Sequence, residues 1–370
     1  MKIKQYAKMA AQNIYLPLVY NLHRHRKIAP RSVLFADAHH DAVPANMKPL
    51  REELKSDGWT VREMYLDYQK ASFGRTLRHM TAFMKAYAGS EAVVLCDNFL
   101  PAAGCRKRPQ TKVVQLWHAC GSLKKFGYAT TDDIPASYRG NVFRNTDLVT
   151  VSAEACVLPF SEAMRLSPER ICPLGVSRTD RYFDPEWRKT AREHFLKKCP
   201  QAVGRKVVVW APTFRGDPSD PEVIGLDTEA LQEKLGDEWI LLVKHHPHVR
   251  KAGSVAGLSM EELFAAADAM IADYSSLIYE YLLFEKPLVL YIPDYDSYLS
   301  QRGFFMPHEE IPGERIYEEK DLADGIRRAC VENDSPGVVR ARKAFLAKWM
   351  SACDGGSTRR IADWLEAEHA

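Results

Sequence analysis

Residues 265–298, AAADAMIADYSSLIYEYLLFEKPLVLYIPDYDSY, read as strand, tight turn, short helix and strand, the βαβ unit of a parallel sheet. The apolar run 269–272 has the length of a buried strand. Asp273-Tyr274-Ser275-Ser276 supplies turn and cap chemistry, with Ser275 the better cap. Leu277, Ile278, Tyr281 and Leu282 recur at helical spacing, and Lys286-Pro287 closes the helix ahead of a strand over 288–292. Backbone N–H groups and two hydroxyls are left at a helix start off a strand's C-terminal edge. α/β proteins hold phosphate at such places. From the Ser-Ser pair alone, a helix capped for its own sake reads equally well.

Outward from this unit the same alternation continues. Upstream lie a strand over 206–210, a helix over 228–234 and a strand over 239–243, and two helices over 340–350 and 359–366 close the chain. A first series precedes it: strands over 32–36, 92–96, 112–116 and 148–151, a helix over 48–56 with Pro49 in its first turn, and a helix from 154. Residues 171–183, with Pro173, Gly175 and Asp180, read as a connector. The chain has 370 residues, long for one core, so two domains are expected. The expected division is 1–28 as a membrane-interface segment, 29–180 as a first domain and 181–370 as a second domain that includes the closing helices 340–370. The architecture is α/β, two Rossmann-like doubly wound domains facing a central cleft.

Ligands of open parallel sheets bind at the C-terminal strand edge. In the second domain three strand ends lead into Ala211-Pro212-Thr213-Phe214-Arg215, Lys244-His245-His246-Pro247 and Asp273-Tyr274-Ser275-Ser276. Thr213, Arg215, Lys244, His246, Asp273 and the serine-bearing helix start together suit a pyrophosphate. Glu280, one turn into that helix, either accepts hydrogen bonds from ribose hydroxyls or faces solvent. In the first domain a strand ends in Trp117-His118-Ala119-Cys120-Gly121-Ser122-Leu123-Lys124-Lys125. His118 there is a natural general base, Gly121 allows close backbone approach, and Lys124 and Lys125 add positive charge. Cys120 has no second feature that supports covalent catalysis.

Asp37-Ala38-His39-His40-Asp41 follows another strand. Neighbouring side chains on an extended chain diverge, so acceptor contact through His40 is preferred to a metal site. Asp354-Gly355-Gly356-Ser357-Thr358 opens the last helix as a cap or a further anion site.

A net charge of +3 argues against nucleic acid as partner. The basic residues are concentrated at Arg24-His25-Arg26-Lys27 and Arg106-Lys107-Arg108. Eight cysteines without CxxC pairs or zinc-like spacing read as reduced thiols of a cytoplasmic protein. No secretory signal or membrane span is evident. Residues 6–22 mix aromatic and aliphatic side chains between Lys2, Lys4 and Lys8 and the run 24–27, as a helix in the membrane interface does, or one packed on the body. Pro17 predicts two short pieces in place of one helix.

WHACGSLKKFGY, APTFR, KHHP, ADYSSLIYEYLLFEKP and the late DGGST resemble, in that order, the CDP-glycerol glycerophosphotransferase family of teichoic-acid polymerases and primases. The resemblance implies a GT-B fold with the acceptor in the N-terminal domain and the CDP-alcohol in the C-terminal one. It matches His118 to the family's base, His246 to its pyrophosphate-contacting histidine, and Ser275 and Ser276 to its phosphate-binding serines. Where several members carry Gly-Thr-Pro after Trp-His, this chain has Ala119-Cys120-Gly121, which bears on the acceptor.

The expected reaction moves a polyol phosphate, glycerol phosphate first, from a CDP-linked donor to a hydroxyl of a lipid-linked or polymer acceptor, releasing CMP. It belongs to teichoic-acid-like cell-wall polymer synthesis by a peripheral enzyme on the cytoplasmic face of an anionic membrane. No acidic triplet calls for metal, and no cofactor is expected. The alternatives are a GT-B glycosyltransferase using a nucleotide sugar and a non-catalytic, membrane-surface anion-binding protein.

Overall fold

The computed structural model describes residues 10–130, 134, 140–215, 222–245, 255 and 257–367. Two compact units emerge. The first takes in the chain up to Ala119, Phe126–Asp180 and everything from Ser351 onward; the second comprises Cys120–Lys125 and Arg181–Met350.

The first unit is built on a six-stranded parallel sheet of β1 (Ala29–Asp37), β2 (Thr60–Tyr65), β3 (Ser90–Leu95), β4 (Lys112–Gln115), β5 (Leu148–Thr150) and β6 (Ile171–Cys172) in the order β2-β1-β3-β4-β5-β6. The strand order reverses at β1 and β3, which makes that crevice the switch point of a doubly wound sheet. Register pairs Ala36 with Leu95 and Leu95 with Gln115, so the loops after β1, β3 and β4 leave the sheet at one level. The expected connector over 171–183 contains β6, whose two residues pair with Val149 and Thr150 at the sheet edge. A strand that short carries too little hydrophobic pattern to be read locally.

The second unit holds a five-stranded parallel sheet of β7 (Lys206–Trp210), β10 (Trp239–Val243), β11 (Ala269–Ala272), β12 (Leu288–Tyr291) and β13 (Glu314–Ile316), ordered β10-β7-β11-β12-β13. Two short strands, β8 (Phe214–Arg215) and β9 (Glu222–Val223), pair antiparallel. β11 and β12 are buried at every position, as strands covered on both faces must be. Trp210 is in register with both Val243 and Ile271, so the three predicted strand ends do share one level.

Two expectations on organisation change. The last helix, Ser357–Glu366, expected with the second domain, buries Ile361, Ala362 and Leu365 against Leu50, Leu54 and Trp59 of the first unit. Its apolar stripe faces that cluster. The two N-terminal pieces expected around Pro17 are continuous: a π-helical turn, Ala11–Tyr15, passes directly into an α-helix, Leu16–His23, and the wider turn just ahead of Pro17 accommodates its missing N–H. Leu16, Val19 and Tyr20 of this helix are buried, and Tyr20 meets Tyr87 edge-on. Lys2, Lys4, Tyr6 and Lys8 lie outside the described residues.

Candidate active site

In the first unit the strand-end loops bring three histidines and two aspartates together. His118 follows β4, and its Nδ1 lies 3.1 Å from Oδ2 of Asp97, which follows β3. His39, after β1, places Nε2 3.9 Å from the other carboxylate oxygen of Asp97. Burial raises the Asp97 carboxyl pKa, but the two imidazoles and the Asn98 amide outweigh it and hold the group well below the usual carboxylate range. His40 contacts Asp37 at 2.8 Å through Nδ1. That hydrogen bond raises the His40 pKa; Asp37 is lowered, its burial outweighed by bonds from His40 and the His39 amide.

The His118 loop is anchored from several sides. Gln115 donates to the Asp97 carbonyl and accepts from the Trp117 amide. Asn46 donates to the Trp117 carbonyl, and Arg178 donates to the His118 carbonyl at 3.0 Å. Trp117 itself adopts φ 56°, unusual for a bulky residue, with its ring stacked on Phe126 at 5.0 Å. This strained turn aims His118, whose side chain is 51% exposed.

Sequence reading had found His118 and His40 but missed Asp97. Its signal lies in the sequence, since Asp97-Asn98 follows the strand expected over 92–96 just as the other site residues follow theirs. Asn46 and Arg178 carry no comparable local signal.

In the second unit several predicted phosphate ligands already have partners. Arg215 donates to Asp294 at 2.7 and 3.1 Å, to Asp273 at 2.9 Å and to the Thr213 carbonyl at 2.8 Å. Its guanidinium also faces the rings of Tyr274 and Tyr298, 4.9 and 4.7 Å from their centroids. A cation held between two carboxylates is a structural clamp, not a free phosphate ligand. Asp273 accepts from the amides of Thr213 and Tyr274 as well, so it ties the β7 loop to the β11 loop. Glu280 neither faces solvent nor stands open to a ribose: it is buried and accepts from the Tyr182 hydroxyl at 2.7 Å.

What stays open is the helix start. Ser276 is the N-cap and makes no side-chain cap bond; Ser275 Oγ, one residue earlier, accepts from the Leu277 amide at 3.3 Å. Among the described residues, the amides of Ser275 and Ser276 and the Ser276 hydroxyl meet no acceptor. Thr213 Oγ1 is buried and likewise unpartnered among the described residues. Lys244 donates to the Leu258 carbonyl at 2.8 Å and keeps two further protons. His246 lies outside the described residues.

The glycine and lysines after His118 belong to the second unit, not the first. Phe305 donates its amide to Leu123, Lys125 its amide to Gly303, and Lys124 bridges to Phe304. Gly121 has φ 64°, and a Cβ there would come within 2.2 Å of the Tyr279 ring. The close approach it permits is to this buried tyrosine.

The other predicted anion site is filled from within. At the last helix, the amides of Ser357 and Thr358 donate to the two oxygens of Asp180 at 3.0 and 2.7 Å. Asp354 turns to the Gly356 amide and the Arg360 guanidinium. Gly175, at φ 90°, lets the chain pass where a Cβ would meet Ser357 Oγ at 2.2 Å.

Comparison with known proteins follows the same outline. A profile described as CDP-Glycerol:Poly(glycerophosphate) glycerophosphotransferase matches residues 18–367. The teichoic acid ribitol-phosphate primase of Bacillus spizizenii is 30% identical over 357 residues, 90% of each chain. The teichoic acid glycerol-phosphate primase of Bacillus subtilis is 28% identical over 293 residues, 74% of this chain and 73% of that protein. Among solved structures, a variant of the wall teichoic acid polymerase TagF superposes with a TM-score of 0.76 at 18% identity, covering 99% of this chain and 98% of that one.

Proposed function

The chain belongs to the CDP-glycerol:poly(glycerophosphate) glycerophosphotransferase family, and from that premise we propose that it transfers a polyol phosphate from a CDP-linked donor to an acceptor hydroxyl in teichoic-acid-like polymer synthesis, releasing CMP. The observation that carries the reading is the half-exposed His118 imidazole, after β4, paired with Asp97, which follows β3 beside the switch point of the first sheet. His118 takes the proton of the attacking hydroxyl. The alkoxide forms its bond to the phosphorus that bears the polyol, and the bond from that phosphorus to CMP breaks with its electron pair leaving on CMP.

In this reading the units take a GT-B arrangement, acceptor on the first and donor on the second. The amides of Ser275 and Ser276, the Ser276 hydroxyl, Thr213, Lys244 and His246 receive the donor phosphates, with Lys124 and Lys125 adding charge. Arg215 and Asp273 fix the loops that do so. Phosphoryl transfer asks mainly for such positioning and electrostatic stabilisation. His118→Ala should lower kcat by about 10²–10⁴ while calorimetric affinity for the donor survives. CMP release from CDP-glycerol and CDP-ribitol, beside nucleotide release from a nucleotide sugar, tests the reaction class. Turnover confined to the nucleotide sugar would refute it.

The acceptor side also suggests where the enzyme rests. Ile14, Leu18 and Leu22 are exposed at a spacing of four, opposite the buried face of their helix, and exposed Arg24, His25, Arg26 and Lys27 follow. Among the described residues no helix is long and apolar enough to cross a membrane. An apolar stripe beside a basic run suits a peripheral position on an anionic lipid surface. Ile14→Ser, Leu18→Ser and Leu22→Ser together should weaken sedimentation with anionic liposomes. Unchanged binding would place the lipid contact elsewhere.

A further inference from the structure

The carbonyls and amides of the His118 loop are held by Gln115, Asn46 and Arg178, but the imidazole is held by Asp97 through Nδ1 at 3.1 Å. Its neighbours hold Asp97 ionised, and a carboxylate can only accept, so a proton shared across this 3.1 Å contact belongs to Nδ1. A neutral imidazole carries a single N–H, and Nε2 is then the atom with the lone pair. We propose that Asp97 is a positioning residue for the transfer reaction, holding His118 in the Nδ1–H tautomer so that Nε2 is the atom that accepts the proton of the acceptor hydroxyl.

This rests on the reading of His118 as the base and adds how the base is set. When Nε2 takes the proton the ring becomes an imidazolium, and the Asp97 carboxylate compensates its charge without itself being protonated. The ionisable groups around Asp97 agree with that role. His39 stands 3.9 Å from its second oxygen. The Cys96 thiol, which burial pushes up and so keeps protonated, donates to Asp37, which in turn is bound by His40. Arg178 reaches the loop through the His118 carbonyl. None of these occupies the Asp97 oxygen that faces His118.

The test is a double-substitution cycle read by CMP release from a CDP-linked polyol. Asp97→Asn should lower kcat by about 10–100-fold with the donor KM within about twofold. In a His118→Ala background the same substitution should change kcat by less than about twofold, because the residue it acts through is gone. If His118→Ala turns over like the parent, the base reading itself falls. If His118→Ala is slow but Asp97→Asn is not, or if Asp97→Asn costs as much in both backgrounds, the base stands and the positioning role is overturned. A measurement on the unsubstituted enzyme keeps the inference exposed should Asp97→Asn fail to fold. In long-range proton–nitrogen spectra of ¹⁵N-histidine-labelled protein, His118 should show the Nδ1–H tautomer, and an Nε2–H tautomer would overturn it.

Discussion

Two helices in this protein begin with nearly the same local chemistry and do opposite things with it. Leu277–Leu282 follows Asp273-Tyr274-Ser275-Ser276, and Ser357–Glu366 opens on Ser357-Thr358 after Asp354. Each start directs backbone N–H groups outward, and at each the local aspartate is turned elsewhere, Asp273 to Thr213 and Arg215 and Asp354 to Arg360. At the last helix a carboxylate distant in sequence, Asp180, fills both amides. At Ser275-Ser276 no carboxylate arrives among the described residues. A helix start is an anion site only where the tertiary fold has not supplied its own anion.

The most severe way to break this comparison is to release Asp273. Arg215→Ala leaves Asp273 and Asp294 without their cation and should destabilise the protein by about 3–5 kcal/mol, measured by urea unfolding. A loss under about 1 kcal/mol with donor affinity down tenfold would make Arg215 a phosphate ligand after all. Asp180→Ala empties the filled site and should cost about 1–2 kcal/mol, the value of a side-chain cap, with donor KM unchanged. Should donor affinity collapse instead, the last helix takes part in binding and the contrast between the two starts is lost.

Ser276→Ala probes the open site. Among the described residues the hydroxyl has no partner to lose, so the melting temperature should hold while affinity for CDP-glycerol falls roughly fivefold, about 1 kcal/mol. Equal weakening toward cytidine alone would point to a damaged loop rather than a lost phosphate contact.

The smallest effect sharpens the contrast between a filled amide pair and a half-exposed ion pair. His40 is raised by Asp37, so its contribution is full below the ordinary histidine pKa, about 6.5, and is lost as pH rises through the folded value. Asp37 is lowered, so its contribution is full above about pH 4 and fades as pH falls through its folded value. The stability difference between the parent and His40→Asn should therefore peak between about pH 4 and 6.5. It should amount to roughly a few tenths of a kcal/mol, since more than half of His40 is in solvent. A difference that keeps growing above pH 7 would mean the pair is not ionic.

Much of the molecule was legible in one dimension. Strands β7, β10 and β11 lie where the apolar runs 206–210, 239–243 and 269–272 place them, because a strand buried on both faces leaves a continuous hydrophobic signature. The strand-end rule led to His118, His40, Thr213, Lys244 and the serine pair because chemistry gathers where loops leave a parallel sheet. Short or polar elements, such as β6 at Ile171–Cys172 and β2 at Thr60–Tyr65, escaped it, since an edge strand with mixed burial has no such signature.

The sequence by itself settled which residue types stand at which strand ends, and hence the family and the kind of chemistry. Only the tertiary structure decided which of those groups remain available. Arg215 and Glu280 look like ligands along the chain, yet Asp294 lies 79 residues from the first and Tyr182 98 residues from the second. Asp180 reaches Ser357 across 177 residues, and Asp97 sits beside His118 because β3 and β4 are neighbours in the sheet. Charge and hydrogen-bonding capacity belong to the residue. Whether they are already satisfied depends on distances the fold creates, and a hydrogen bond or ion pair counts only within a few ångströms.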